Sequence, residues 1–292
     1  MAPGNRAARS ETGQRRPAET FASILADRSR RLCGRRFRIR GVRVSNGGRI
    51  DGLEKTRLTL GFVPLTDCAP LVVVRDKGFF EARGLTVELS REASWATIRD
   101  KVAVEALDGA QMLAAMPLAA TLGLDGLRAA MVSGLSLDLN GNSIVLSREL
   151  WAEMAPDDAS PAAVGGALAR AVAARAACGS PSLRLAVTFP HSSHNYLLRY
   201  WLAASGIDPD ADVRLTVVPP RRMVAHLIDG DIDGYCVGAP WGQIAVDLGI
   251  GRVALATYDV WNNHPEKCPS SEQSGRFEAA ANGGFGSSGL SV

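Results

Sequence analysis

Short apolar runs rich in β-branched residues alternate with stretches of helical spacing twice along this chain, and that alternation constrains the fold more than any other feature. In the first series, residues 58–63 (LTLGFV) end at Pro64, and the polar loop PLTDCAP feeds an apolar helix start at residues 71–74. A turn at Lys77-Gly78 and Arg83-Gly84 precedes a second strand at residues 86–89 (TVEL). Ser94-Trp95-Ala96-Thr97 opens a helix reaching Val104, with Ser94 or Thr97 as its cap, and a short strand and a Pro117-started helix follow over residues 107–118. Residues 127–136 read as a strand, and LNGNSIVL (139–146) as an Asn-Gly turn and another strand. The second series runs strand 184–189, a helix with apolar spacing at Tyr196, Leu197, Tyr200, Trp201 and Ala204, strand 213–218, helix 219–228, strand 234–237, helix 241–248 and strand 253–257. Such alternation predicts an α/β fold of β-α-β units, with a mostly parallel sheet and ligands at the carboxyl ends of its strands. Between the two series lies an Ala-rich segment, 149–178, broken at 156–161, which reads as surface helix or connector. The expected organisation is an Arg-rich leader (1–56), lobe 1 with the connector (57–180), lobe 2 (181–262), and a truncated crossover with a disordered tail (263–292). Two Rossmann-like lobes would then face each other across a cleft.

Charge adds one restriction. Residues 1–50 carry thirteen Arg and no Lys against Glu11, Glu19 and Asp27, so the small positive net charge belongs to that segment and the remainder is acidic. No basic surface for direct nucleic-acid binding is expected. The five cysteines, at 33, 68, 178, 236 and 268, form no CxxC and suggest neither a zinc site nor a disulfide framework. Reduced thiols fit a cytoplasmic protein. No run reaches the roughly 18 apolar residues of a membrane span, and no stretch near the N-terminus supplies a secretory h-region. The leader reads either as a transit peptide or as sequence upstream of a misplaced start. From Cys268 onward the chain is Gly/Ser/Ala-rich and aperiodic, and reads as a disordered or foreign tail.

The stretch FPHSSHNYLLRYWLAASGI, residues 189–207, holds the densest polar chemistry. A strand empties into Ser, His and Asn residues that open a helix, which points free N–H groups and the positive end of the helix dipole at one spot. That spot suits a small anion. The same residues also suit a plain N-cap, with Ser193 or Asn195 satisfying the first turn. His191 and His194 are three apart, but no further ligand at useful spacing supports a metal, and Ser192 and Ser193 lack the Gly-flanked elbow of a hydrolase. No cofactor-attachment motif and no catalytic constellation is present, so the chain does not read as an enzyme. Other anion-suited groups sit in loops at strand ends. Trp95 offers a flat ring and an N–H, or a core filling. Asn142 offers an amide, or a turn residue. Lys267 offers a cation in an inter-lobe position, or a solvated surface charge. Cys68 lies in the first cleft loop.

The runs GFVPLTDCAPLVVVRDKGFFEARGLTVEL, SREASWATIRDKVAVEALDGAQML, LNGNSIVLS, FPHSSHNYLLRYWLAASGIDPD, VVPPRRMVAHL, GDIDGYCVGAPW and NNHPEK together resemble the nitrate/bicarbonate-binding family of ABC-transporter solute-binding proteins, the NrtA/CmpA type. Within it they are most similar to the cytoplasmic nitrate/nitrite sensors of the NasS kind. The resemblance spans about residues 58–267. It implies a type II periplasmic-binding-protein-like fold closing on a small oxyanion, with Trp95, Asn142, His194 and Lys267 as ligand-contacting positions and His191 as a further one. A Lys at 267, where bicarbonate binders carry an acid and use a metal ion, implies a bare anion such as nitrate or nitrite. The implied partner is an RNA-binding antiterminator protein, or, for an importer, an ABC permease. Members carry a further lobe-completing segment after HPEK and, in the transporters, an export signal; neither is expected here.

Overall fold

Arg57–Phe62 (β3, RLTLGF) begins the first lobe as a half-buried strand whose neighbours arrive in parallel on both sides. The computed structural model describes residues 53, 55–124 and 126–272, plus the backbone of an antiparallel pair, β1 (Arg43–Val44) and β2 (Ile50–Asp51). The expected leader and the tail beyond Glu272 fall, apart from these residues, outside what is described. After β3 come α1 (Ala69–Asp76), β4 (Thr86–Arg91), α2 (Trp95–Ala103), β5 (Gly109–Leu113), α3 (Met116–Leu122), β6 (Met131–Ser133) and β7 (Asp138–Leu139). The strand expected over 127–136 is thus only three residues long. Helix α2 starts where the Ser94 hydroxyl accepts the Thr97 N–H at 3.2 Å, a cap worth about 1 kcal/mol. Its apolar face buries Trp95, Ile98 and Val102 against Ala110 and Met112 of β5.

The second lobe contains β8 (Asn142–Ser147), α4 (Arg148–Met154), α5 (Pro161–Ala177), β9 (Arg184–Val187), α6 (Ser193–Ala204), β10 (Arg214–Val217), α7 (Met223–Ile228), β11 (Gly234–Gly238), α8 (Trp241–Asp247), β12 (Gly251–Ala256) and α9 (Thr257–Val260). Its sheet has the order β10-β9-β11-β8-β12, with β8 antiparallel to both neighbours. The boundary between lobes therefore lies at the Asn140-Gly141 turn, not near residue 180. Both turn residues have positive φ, 62° and 86°, a conformation that Asn tolerates and Gly adopts freely. Nor are α4 and α5 a surface connector. Leu150, Met154, Val164, Leu168 and Ala171 are buried in one core with Leu183, Leu185, Trp201 and Leu202. Alanine and glycine on α5 let it approach α6 closely, so a composition that reads as helix propensity is also a packing surface.

The last strand, β13 (Pro265–Glu272), returns to the first lobe and inserts between β5 and β6, giving the order β4-β3-β5-β13-β6 with β7 attached to β13. Residues 268–272, expected to open a structureless tail, are a paired strand, with Cys268 in the core beside Met112 and Ala110. Its Ser and Pro content hid it. Ser270 is buried and shares a hydrogen bond of 2.6 Å with Ser133 on β6, so this strand is held partly by polar contacts and carries little apolar alternation. Each sheet is parallel within its β-α-β part and antiparallel where a strand arrives from the other half of the chain, so the sheets are mixed. Two segments cross between lobes, 140–141 and 261–264, and the Asn140 N–H donates to the His264 carbonyl at 3.0 Å.

Candidate functional site

The cleft is lined by Asp67 and Trp95, which follow the carboxyl ends of β3 and β4, by His194 after β9, by Gln111 within β5, and by the N-terminal ends of the antiparallel strands β8 and β13. The register of β13 shifts between Pro265 and Lys267, a bulge that breaks the alternation of side chains. As a result the consecutive residues Glu266 and Lys267 both reach the cleft interior, with Glu266 Oε1 2.7 Å from Lys267 Nζ. They are 1% and 0% exposed. Lys267 also pairs with Asp67 Oδ2 at 2.7 Å, and its ammonium lies 5.4 Å from the centre of the Trp95 ring. Gln111 Nε2 donates to the other Asp67 oxygen at 2.6 Å. All of these partners belong to the first lobe.

The second lobe grips the same carboxylate from the opposite side. Asn142 Nδ2 donates to Glu266 Oε2 at 2.5 Å, and His194 Nδ1 stands 3.4 Å from Oε1 without a hydrogen bond. His264 Nδ1 lies 3.7 Å from Oε2, while its Nε2 meets the Thr257 hydroxyl at 2.8 Å. Two contacts draw the lobes together at this point: the Thr66 N–H donates to the Ala239 carbonyl at 3.0 Å, and the Ser193 hydroxyl to the Pro265 carbonyl at 3.0 Å. Phe189 of the second lobe is buried in the first lobe's core, with Arg99 5.7 Å above its ring.

Burial dominates the electrostatics, and charge pairing reverses it where pairing exists. Burial would push the Glu266 carboxyl up, but Lys267 and His194 hold it down at about 2. Burial would lower the Lys267 ammonium, yet Glu266 and Asp67 raise it above the ordinary lysine range, so it stays charged. Burial lowers His194 to about 4; Glu266 pulls it up, while Lys267 and His264 add to the lowering. At neutral pH His194 is therefore a neutral imidazole with one N–H. Burial raises Asp138, beside Lys267 on β7, to about 6 against the pull of Lys267.

Several polar atoms of this cleft have no hydrogen-bond partner among the described residues. They are Trp95 Nε1, Gln111 Oε1, Asn142 Oδ1 and both ring nitrogens of His194, and Thr188 Oγ1, just past β9, shares that state. An orphaned buried polar atom costs about 1–3 kcal/mol; of these, the Trp95 N–H and the one N–H of His194 are donors that an oxyanion can satisfy, whereas Gln111 Oε1 and Asn142 Oδ1 are acceptors that it cannot.

Four of the five positions expected from sequence thus converge: Trp95, Asn142, His194 and Lys267. Trp95 is both core filling and a potential donor. His191 stands apart, half-buried, with Nδ1 3.0 Å from the Tyr196 hydroxyl and its ring edge toward Phe189. The cap of α6 is Ser192, whose hydroxyl accepts the Asn195 N–H at 3.1 Å, rather than Ser193 or Asn195. Lys267 is no solvated surface charge. Glu266, Asp67 and Gln111 are not among the positions expected from sequence; a carboxylate does not suggest itself for an anion site, and Gln111 lies inside a buried strand. The available signal was an adjacent Glu-Lys pair in a segment that must cross between lobes. Burial pushes the Cys68 thiol up, with Asp67 adding to the effect, so it is not a poised nucleophile. Among the described residues no cluster of His, Cys, Asp and Glu is arranged to hold a metal ion.

Comparison with known proteins agrees with this architecture. The NMT1-like family profile matches residues 51–274. The nitrate import ATP-binding protein NrtC of Synechocystis sp. is 45% identical over 220 residues, which are 74% of this chain and 31% of that protein. The nitrate/nitrite binding protein NrtA of Nostoc sp. is 37% identical over 229 residues, 76% of this chain and 49% of that one. The crystal structure of the periplasmic nitrate-binding protein NrtA from Synechocystis PCC 6803 superposes with a TM-score of 0.67 at 37% identity, covering 75% of this chain and 56% of the other. The chain accordingly spans about half the length of the NrtA proteins it matches, and less of NrtC. A ligand-binding component of an ABC-type import system from Staphylococcus aureus, at 18% identity and a TM-score of 0.60, shares the fold alone. With the fold, the two-lobed cleft and these matches in agreement, the chain belongs to the NMT1-like family and is similar, over about half of their length, to the NrtA proteins.

Proposed function

We propose that this protein binds a small planar oxyanion, nitrate or nitrite, between its lobes, and that closure on the anion serves a sensor of nitrate availability. The observation that carries the reading is that the Asn142 amide and the neutral His194 imidazole stand around a buried carboxylate, that of Glu266, beside the buried Lys267 ammonium, which lies over the Trp95 ring. A planar anion with three oxygens, or two, can accept from several such donors at once. The names of the relatives, nitrate/nitrite binding protein among them, point to the same ligand. In the sensor reading the protein is cytoplasmic, and anion binding shifts the balance between two lobe arrangements that differ in affinity for an RNA-binding antiterminator protein. Calorimetric titration with sodium nitrate tests the binding: saturable heat in the parent protein, weakened about tenfold or more in His194→Ala, supports it, and no heat with nitrate or nitrite refutes it.

A second reading is favoured by the names of several relatives, which are components of nitrate or bicarbonate import. In it the protein delivers the anion to an ABC permease. A pull-down of the antiterminator that responds to nitrate supports the sensor; nitrate-dependent association with a permease supports the importer.

A further inference from the structure

We propose that Glu266 is a resident stand-in for the ligand, a side chain whose carboxylate holds the oxyanion donors until an arriving anion displaces it. The inference rests on the oxyanion reading above and adds a competitor to it. A carboxylate is a planar, delocalised, monovalent oxyanion, so it presents to its donors what nitrate or bicarbonate would present. Two of the side chains assigned to the anion already donate to this one, Lys267 Nζ at 2.7 Å to Oε1 and Asn142 Nδ2 at 2.5 Å to Oε2, and His194 Nδ1 stands 3.4 Å from Oε1 without a hydrogen bond. Donors from both lobes meet on it, as they would meet on a bound anion.

Electrostatics turns this overlap into competition. Lys267 already faces two carboxylates, Glu266 and Asp67, and His194 is neutral at pH 7. A further anion would place three negative groups around one ammonium in a water-poor cleft, where like charges repel strongly. Both oxygens of Asp67 are held within the first lobe, by Lys267 at 2.7 Å and Gln111 at 2.6 Å, whereas Glu266 Oε2 is held by Asn142 across the cleft. Glu266 has no such support from its own lobe beyond Lys267, so it is the group that yields. Asp67 then keeps the ammonium in place while Asn142, His194 and Lys267 are handed to the ligand. Every binding event then includes the removal of Glu266 from its donors.

The test is nitrate affinity by calorimetry in the parent protein and in Glu266→Gln, which keeps shape and removes the charge. At least about tenfold tighter binding in the variant is expected, since a like charge next to the ligand has gone. Binding that is measurable in the parent but unchanged or weaker in Glu266→Gln overturns the stand-in and leaves the oxyanion site intact. That is the outcome expected if Glu266 merely orients Lys267. No nitrate binding by either protein overturns the site and the stand-in together. A measurement on the parent protein alone guards against a misfolded variant: the Glu266 carboxyl carbon should shift in its NMR resonance as nitrate saturates the protein. A carboxyl resonance that stays fixed while nitrate binds contradicts the proposal.

Discussion

Glu266 and Lys267 are neighbours in sequence, both are buried, and their charged ends meet at 2.7 Å because a bulge in β13 turns both side chains into the cleft. Such a pair is weak evidence for stability as a whole, but removing one partner leaves an uncompensated buried charge. Lys267→Gln, which strands Asp67 and Glu266 together, is expected to cost roughly 3–5 kcal/mol. In the double variant with Glu266→Gln, part of that loss should return. Urea unfolding of the four proteins checks this; additive losses would mean that the pair is not coupled.

Trp95 packs against Ile98, Met112 and Met116 while its indole N–H finds no partner among the described residues. Trp95→Phe removes the donor and keeps most of the packing. Nitrate affinity should fall roughly tenfold, the worth of a hydrogen bond to a charged acceptor, with the melting temperature little changed. Full affinity in Trp95→Phe would restrict the residue to the core.

His194 makes stability depend on pH in a defined direction. Its folded-state value, about 4, lies below the 6.5 of a free imidazole, so between those values the unfolded chain holds a proton that the folded chain does not. Its contribution is fully present above about pH 6.5 and is lost as pH falls toward 4, by up to roughly 3 kcal/mol. Asp138 works oppositely, because burial lifts it to about 6 and it costs stability as pH rises through that range. The difference between the parent and His194→Gln isolates the imidazole. The parent should lose more stability than the variant between pH 6.5 and 4, and parallel curves would contradict a neutral buried His194.

Strand β8 stands against β11 in the second lobe, and a glycine makes the close pairing possible. A Cβ at Gly234 would fall 2.7 Å from the Val145 carbonyl oxygen and 2.7 Å from a Leu146 methyl. Gly234→Ala should therefore destabilise the protein by about 1–3 kcal/mol, measured by thermal unfolding. Unaltered stability would argue against β8 belonging to this sheet.

The alternation of strands and helices was legible because buried strands and capped helices leave strong local patterns, as Ser94 before Trp95 and the Asn140-Gly141 turn do. Lobe membership was not, because β8 joins its sheet through pairing with β11 and β12, which lie some ninety and more residues onward. Strand β13 escaped for a different reason: its Ser133–Ser270 contact and the buried Glu266 and Lys267 replace the apolar alternation that marks a strand. In the site, Trp95, Asn142, His194 and Lys267 could be singled out by residue type and resemblance. Glu266 and Asp67 could not, since a carboxylate in an anion site makes sense only when its partners are seen.

The central claim is that these residues form one oxyanion seat, and a crystal structure of the protein grown in sodium nitrate tests it most directly. The expected result is planar density within hydrogen-bonding reach of Trp95 Nε1, His194, Asn142 and Lys267, with the Glu266 carboxylate moved off Asn142 Nδ2. Nitrate bound elsewhere, or a cleft in which Glu266 keeps both Asn142 and Lys267 at saturating nitrate, would contradict it.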